Sequence, residues 1–462
     1  MFDPGIYTAR RKVLKNKLKS GLLLFLGNNE SPSNYADNPY RFRQDSTFLY
    51  YFGLDDPGLG AIIDLDNDIE TIFGYDFTVD DIVWMGPQPS LQERAERAGV
   101  KKSATTAELA TVMSSALDKG QSIDILPPYR AEHRIRCASL LHVNVDAVDQ
   151  HVSESFIKAV VDQRNVKASE EVAEIEKAVN ITGDMHIFAM QHAKPGMVER
   201  EISGKMEGIA AAYGTSTSFP IIFSKHGETL HNHFHGHVLH AGDLVVNDSG
   251  AESLLHYAGD ITRTIPIGGK FSSKQRDVYE IVLSAQVNAI NAIRPGVPYL
   301  DIHLHAAGDM AEGLKHLGLM KGDVHDAVVH GAHALFFPHG LGHMMGLDVH
   351  DMENLGENYV GYDKMVQRSS QFGLKSLRLG RTLQPGFVLT VEPGLYFIPA
   401  LIQQWKRDEK FTEYINYDKV EEYLDFGGIR IEDDVLVTES GNRVLGEPIP
   451  KTVQEVEALA LA

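Results

Sequence analysis

Cysteine is nearly missing from this sequence: Cys137 is the only one in 462 residues. An internal disulfide is therefore excluded, and a reducing compartment, the cytoplasm, is the expected location. Long apolar runs are missing too. A basic stretch, RRKVLKNKLKS, precedes GLLLFLG in the order of a secretion signal, but the apolar part is short and no small-residue cleavage site follows it. Nothing approaches the ~18 apolar residues of a membrane span. Basic charge is in deficit. The 43 Lys and Arg against 63 Asp and Glu leave a net charge of −20, which argues against nucleic acid and anionic membrane as partners. Low-complexity tracts and short-period repeats are absent. Residues 1–160 carry no glycine-rich phosphate loop, no CxxC pair and no nucleophile elbow, so the chemistry is expected further along the chain.

What is present reads as globular. Hydrophobic residues make up 43% and charged residues 23%, an ordinary balance for a packed core. The length suggests roughly three domains, a number that large α/β folds merge into two. Residues 22–26 form a strand candidate. Residues 61–65 and 69–73 flank Asp66-Asn67-Asp68 as a hairpin. Residues 91–98 and 106–116 have helical character, and 122–126 is a further strand. The aromatic segment 41–53, RFRQDSTFLYYFG, is expected to be a core strand and its loop. Trp84, among loop formers in VWMGPQP, is either an anchor within its domain or a side chain that reaches a neighbouring subunit. A boundary falls near residues 162–169, giving a first domain of 1–164 and a second of 165–462. The second opens on KASEEVAEIEKA, a helix that Ser169 is placed to cap and whose first turn Glu170 and Glu171 favour. A further helix covers 199–213.

The densest cluster of chemical side chains is 331–351, GAHALFFPHGLGHMMGLDVHD, with His339, His343 and His350 spaced by glycines. Imidazole is the commonest metal ligand and the usual acid or base near neutral pH, and glycine lets a backbone approach closely. Solvated histidines in a loop would look the same, so the carboxylates decide. LVVND and AGDITRTIPI read as two antiparallel strands that bring Asp248 and Asp260 onto one face. Buried together they repel unless a cation joins them; the alternative is a pair of turn aspartates. VLTVE ends in Glu392 at a Pro-Gly break. In GIRIEDDVLV, strand period two puts Arg430 and Glu432 on one face and Asp433 on the other. Four carboxylates and one imidazole suit two Mn²⁺-type ions, with Co²⁺, Fe²⁺ or Zn²⁺ as alternatives.

PHGLGHMMGLDVHD, LQPGFVLTVEPGLYF and GGIRIEDDVLVT resemble the proline-specific branch of the pita-bread metallopeptidases, prolidase and aminopeptidase P. FRQDSTFLYYFGLDDPG resembles that branch's N-terminal domain. The resemblance spans nearly the whole chain. It implies an α/β protein: a creatinase-like N-terminal domain, then a catalytic domain with a curved antiparallel sheet. It implies Asp248, Asp260, His343, Glu392 and Glu432 as ligands of two divalent ions, and Glu392 as proton shuttle. It implies His350 stabilising the tetrahedral intermediate, His339 lining the same pocket, His231 touching substrate, and Arg430 beside the bridging Glu432. The implied reaction is attack of a metal-bridging hydroxide on an Xaa-Pro bond at a peptide's N-terminus. Arg378, in SLRLGRTLQPG, matches an arginine that grips a dipeptide's C-terminal carboxylate, which favours dipeptides; the alternatives are a solvated Arg378 with longer peptides as substrate, and more remotely a non-catalytic scaffold. The inserted residues 408–425 also look prolidase-like. A homodimer is expected, with Trp84 of one chain near the other's site. The chain departs from the family in two ways. Asp248 and Asp260 are one position farther apart than usual, with the extra residue expected in the turn at 253–256. His231, His233, His235 and His237 alternate, and all but His231 are expected to be solvated.

Overall fold

The computed structural model describes residues 1–461 and divides into two compact units. The first comprises 1–164 with 354–359, and the second 165–353 with 360 onward.

The first unit is built on a mixed sheet of β1 (Leu22–Leu26), β2 (Gly60–Asp64), β3 (Ile69–Gly74), β4 (Lys102–Thr105) and the short β5 (Ile123–Asp124), in the order β4-β3-β2-β1-β5. The hairpin expected around Asp66-Asn67-Asp68 joins β2 to β3, with Asp64 opposite Ile69 and Asp68 at φ 53°. Leu22, Leu24, Ile62 and Phe73 of the sheet pack on Leu109, Met113 and Cys137 from the flanking helices. The aromatic segment is not a strand. Ser46–Phe52 is an α-helix, capped by the Asp45 side chain on the Phe48 N–H and closed by Gly53 at φ 67°. Every residue of it is buried, so no polar face revealed its period, and the two caps outweigh β-propensity. Val79–Met85 is likewise a helix, opened by a reciprocal Thr78–Asp81 capping box. Trp84 on it is 86% exposed, so it is not an anchor within its own domain.

The second unit opens on the helix Ser169–His192. Its cap is the residue before Ser169: the Ala168 N–H donates to the Glu171 carboxylate. The strands are antiparallel and fall into three small sheets: β6 (Ile222–Ser224) with β7 (Leu244–Ser249) and β8 (Ile261–Pro266); β9 (Val388–Val391) with β12 (Asp433–Val437) and β13 (Asn442–Val444); and β10 (Gly394–Tyr396) with β11 (Gly428–Arg430). A bridge between Thr262 and Glu432 carries β8 into the β11–β12 run. Both faces of β7 and β8 are buried. The helix Ser169–His192 packs on both strands and Val453–Leu461 on β8, while Ser273–Ala292 packs on β9, β10 and β11.

Two breaks interrupt the strand runs. β9 passes into β10 at Glu392-Pro393, and β11 into β12 at Ile431-Glu432. At the breaks the Glu392 N–H donates to the Leu341 carbonyl and the Glu432 N–H to the Thr262 carbonyl, so each glutamate is held by backbone from outside its own ladder. Arg263 locks the second break. Its fully buried guanidinium donates to the carbonyls of Thr262, Glu432, Ile449 and Pro450 and to Asp433 Oδ1 at 2.7 Å. Arg263 and Lys451 hold the Asp433 carboxyl down at about 2. Removing that guanidinium leaves a cluster of buried carbonyls short of a donor and Asp433 with Lys451 as its remaining cation, so Arg263→Ala is expected to cost about 3–5 kcal/mol. Trp405 is buried in this unit, and its fluorescence during urea unfolding reads that loss as a lower midpoint.

Candidate metal centre

The segment that carries three of the site histidines lies against β9 because glycine lets it. A Cβ on Gly342 would stand 2.1 Å from the Thr390 carbonyl oxygen. With that space open, the His343 N–H donates to Thr390 Oγ1 at 3.1 Å and the Thr390 N–H donates to the His343 carbonyl at 3.0 Å. His343 is thereby fixed beside the end of β9, where Glu392 stands. From the other side, β7 and β8 pair Asp248 with Thr262, and Asp260 immediately precedes β8. Tyr257 and Ser253 close the intervening turn, where His256 takes φ 67°. Both aspartates line one cavity.

That cavity has a volume of about 390 Å³ and brings together His231, Asp248, Asp260, His339, His343, His350, Arg378, Glu392, Arg430 and Glu432. Asp260, His343 and Glu432 offer ligand atoms within 4.8 Å of one another. His343 Nε2 is 3.4 Å from Asp260 Oδ2 and 3.8 Å from Glu392 Oε1. His343 Nδ1 donates to the Met344 carbonyl at 3.1 Å, which turns the Nε2 lone pair towards the carboxylates, the arrangement usual for a metal-binding imidazole. Arg430 donates to Asp248 Oδ2 at 2.6 Å and to Thr262 Oγ1 at 3.2 Å, and Thr262 Oγ1 in turn donates to Glu432 Oε2 at 2.6 Å. Arg430 thus grips Asp248 directly and Glu432 only through a hydroxyl. It also donates to the Tyr396 hydroxyl, which donates to His339 Nε2 at 2.9 Å, and His339 Nδ1 donates to the Gly340 carbonyl. Burial and Arg430 push the His339 imidazole down to about 3, so it stands neutral in this chain of donors.

The electrostatics are those of carboxylates buried together. Burial first, then Glu432 and Asp248, raises Asp260 well above the usual range. Glu432 is raised by burial and by Glu392 and Asp248. Among the described residues, buried Asp260 Oδ1 has no hydrogen-bond partner. A lone pair of His343 facing carboxylate oxygens, together with an unpaired buried oxygen, fits a divalent ion of borderline or hard character.

Several residues at the site were assigned no role from the sequence. Asp434 accepts from the Asp260 N–H at 3.0 Å and is fully buried. Its signal was available, since period two continues the face of Arg430 and Glu432 to residue 434. Tyr396, Thr262 and Glu353, each acting through a partner, carried no signal. Two members of the histidine loop depart from the solvated expectation, while His233 is exposed. His235 contacts the Ser203 hydroxyl and the Ile221 carbonyl, His237 pairs with the buried Glu199 at 3.0 Å, and His233 lines the cavity.

Buried carboxylates around one imidazole, in a cavity large enough for a small peptide, define a metal-dependent hydrolytic enzyme. Residues 173–439 match metallopeptidase family M24, and residues 7–125 match the aminopeptidase P N-terminal domain. The chain is 33% identical to human Xaa-Pro dipeptidase, covering 96% of this chain and 89% of that one. It is 32% identical to a probable Xaa-Pro aminopeptidase of Aspergillus clavatus, covering 92% and 89%. The structure of Escherichia coli aminopeptidase P in complex with substrate superposes with a TM-score of 0.80 at 29% identity, covering 100% of this chain and 98% of that one. This chain belongs to metallopeptidase family M24, with an aminopeptidase P-type N-terminal domain.

Burial pushes the Glu392 carboxyl up to about 8, and Asp260 and Glu432 are raised as well. A carboxyl raised in the folded state favours folding at low pH and loses that contribution as pH climbs through its folded value. The metal-free protein is therefore expected to lose stability from about pH 5 to about pH 8. Cation binding near neutrality then expels the held protons. Calorimetric titration with Mn²⁺ in two buffers of unlike ionisation heat is expected to show release of at least about one proton per chain; buffer-independent heats would contradict it.

Proposed function

We propose that this chain hydrolyses the Xaa-Pro bond at the N-terminus of dipeptides or short peptides. The observation that carries the proposal is the convergence of Asp248, Asp260, His343, Glu392 and Glu432 with His231, His350 and Arg378 in one cavity. The five named first would hold two divalent ions, Mn²⁺ by preference for an oxygen-rich donor set, with Co²⁺, Fe²⁺ or Zn²⁺ as alternatives. Bound there, the ions lower the pKa of water and polarise a carbonyl.

The chain's own residues do the rest. Glu392 stands where burial raises its carboxyl, so it can take a proton from the attacking water and pass it to the leaving proline nitrogen. His350 donates to the oxygen on which charge develops. Proline after the scissile bond has no N–H to read. Its ring is instead held by shape, against the apolar lining residues Phe219, Pro220, Ile222 and Leu230, with His231 and His339 lining the same cavity. Arg430 holds Asp248 in its orientation. Arg378 faces the substrate's C-terminus, where a guanidinium fork matches a carboxylate and so gauges a dipeptide. Longer substrates are the second reading, favoured by the aminopeptidase P-type N-terminal match and by the fold shared with Escherichia coli aminopeptidase P.

A homodimer is part of the proposal. On the helix Val79–Met85 no residue is buried, and Val79, Val83, Trp84 and Met85 are exposed together, an apolar patch of the kind that partners cover. A cytoplasmic setting agrees with the lone, buried Cys137. Among the described residues no helix is long and apolar enough to cross a membrane.

With Mn²⁺ added, Ala-Pro is expected to be cleaved in preference to Ala-Pro-Ala at equal concentration, and Arg378→Ala is expected to erase that preference by raising KM for the dipeptide about tenfold or more. Equal or faster cleavage of the tripeptide would favour the longer-peptide reading. For the dimer, Trp84→Ala is expected to raise KM; an unchanged KM would contradict a role for Trp84 at the partner's site.

A further inference from the structure

Glu353 does not line the cavity, yet two residues that do converge on it. His350 Nδ1 donates to Glu353 Oε2 at 2.6 Å. Arg378 Nε lies 3.5 Å from the same oxygen. The Glu353 N–H donates to the His350 carbonyl at 3.2 Å, and this turn brings the carboxylate to the Nδ1 edge of the imidazole. We propose that Glu353 is a positioning and specificity-determining residue: one carboxylate fixes both the group that meets the scissile carbonyl and the group that meets the substrate's terminal carboxylate. The proposal rests on the Xaa-Pro reading and adds to it a residue outside the cavity.

The chemistry runs through orientation. Donation of Nδ1–H to Glu353 fixes the ring angle of His350 and aims its Nε2 edge away from Glu353, and a charge-assisted bond of this length holds the ring more tightly than a neutral one. On the other side Glu353 stands against the Nε edge of Arg378, which restrains the plane of the guanidinium and thus the direction from which a carboxylate can be met in the forked geometry. His350 and Arg378 together keep the Glu353 carboxyl ionised, down at about 2. Partly exposed ion pairs contribute little to stability, so the role is read in catalysis and not in folding. Misplacing a reacting or binding group by an ångström is costly to rate even when every contact residue remains.

Glu353→Ala and Glu353→Gln, each alone and with Arg378→Ala, are assayed as Mn²⁺-loaded protein on Ala-Pro and on Ala-Pro amide, which lacks the terminal carboxylate. Glu353→Ala is expected to lower kcat about tenfold on both substrates through His350, and to raise KM about fivefold for Ala-Pro alone through Arg378. Glu353→Gln recovers most of kcat, because its amide oxygen still accepts the Nδ1 proton. In the Arg378→Ala background Glu353→Ala keeps its kcat effect and loses its KM effect. Unchanged kcat and KM in Glu353→Ala, or an equal KM loss on both substrates, would overturn the proposal. Crystal structures of the two single variants give a readout free of turnover. His350 and Arg378 leave their present orientations in Glu353→Ala and keep them in Glu353→Gln; unmoved side chains in Glu353→Ala overturn the proposal. If the wild-type protein cleaves neither peptide, the Xaa-Pro reading fails, and the crystallographic comparison still decides whether Glu353 positions the pair.

Discussion

Like charges buried side by side govern this molecule. Asp260, Glu392 and Glu432 face one cavity, each raised by burial, and the neighbouring carboxylates raise them further. No protein core gathers such groups without a counter-charge, because each buried anion is expensive alone and more so beside another. Within the chain Arg430 supplies one positive charge, and it is committed to Asp248. The rest of the burden falls on protons in the bare protein or on divalent cations, and His343, with its Nδ1 proton donated to Met344, turns a lone pair to the place where a cation would stand.

The fold can be understood as the means of holding those groups together. β9 and β12 break beside each other, and a glutamate stands at each break with its N–H bonded outside the ladder. Arg263 closes the far side of one break through four carbonyls and Asp433. Gly342 lets the histidine segment lie on the edge of β9. A further ring of residues, Tyr396, Thr262 and Asp434, contributes hydrogen bonds that set the direction of His339, Glu432 and the Asp260 backbone. Directional restraints of this kind make the difference between acidic residues that merely repel and a set that can share an ion.

Much of this was legible in the sequence. The glycine-spaced histidines, the strand ending in Glu392 and the alternation around Glu432 pointed to one site, since strand period and turn chemistry fix which side chains share a face. The features that were not legible have physical reasons. Ser46–Phe52 is buried all round, and a helix without a polar face has no period to read. Val79–Met85 is short and carries an exposed Trp84 that gives no amphipathic pattern. His235 and His237 look like solvated members of an alternating run, yet one reaches a carbonyl and the other a buried glutamate from a distant helix, contacts that no local spacing encodes. Glu353 sits in a stretch whose meaning appears only when Arg378, far along the chain, is brought to it.

The buried carboxylates and His343 form the candidate divalent-metal centre. Anomalous X-ray diffraction from crystals of the Mn²⁺-loaded protein tests it most directly. Two manganese peaks are expected inside the cavity, among Asp248, Asp260, His343, Glu392 and Glu432. An ordered cavity with no anomalous peak, or peaks only at surface acidic groups, would contradict it.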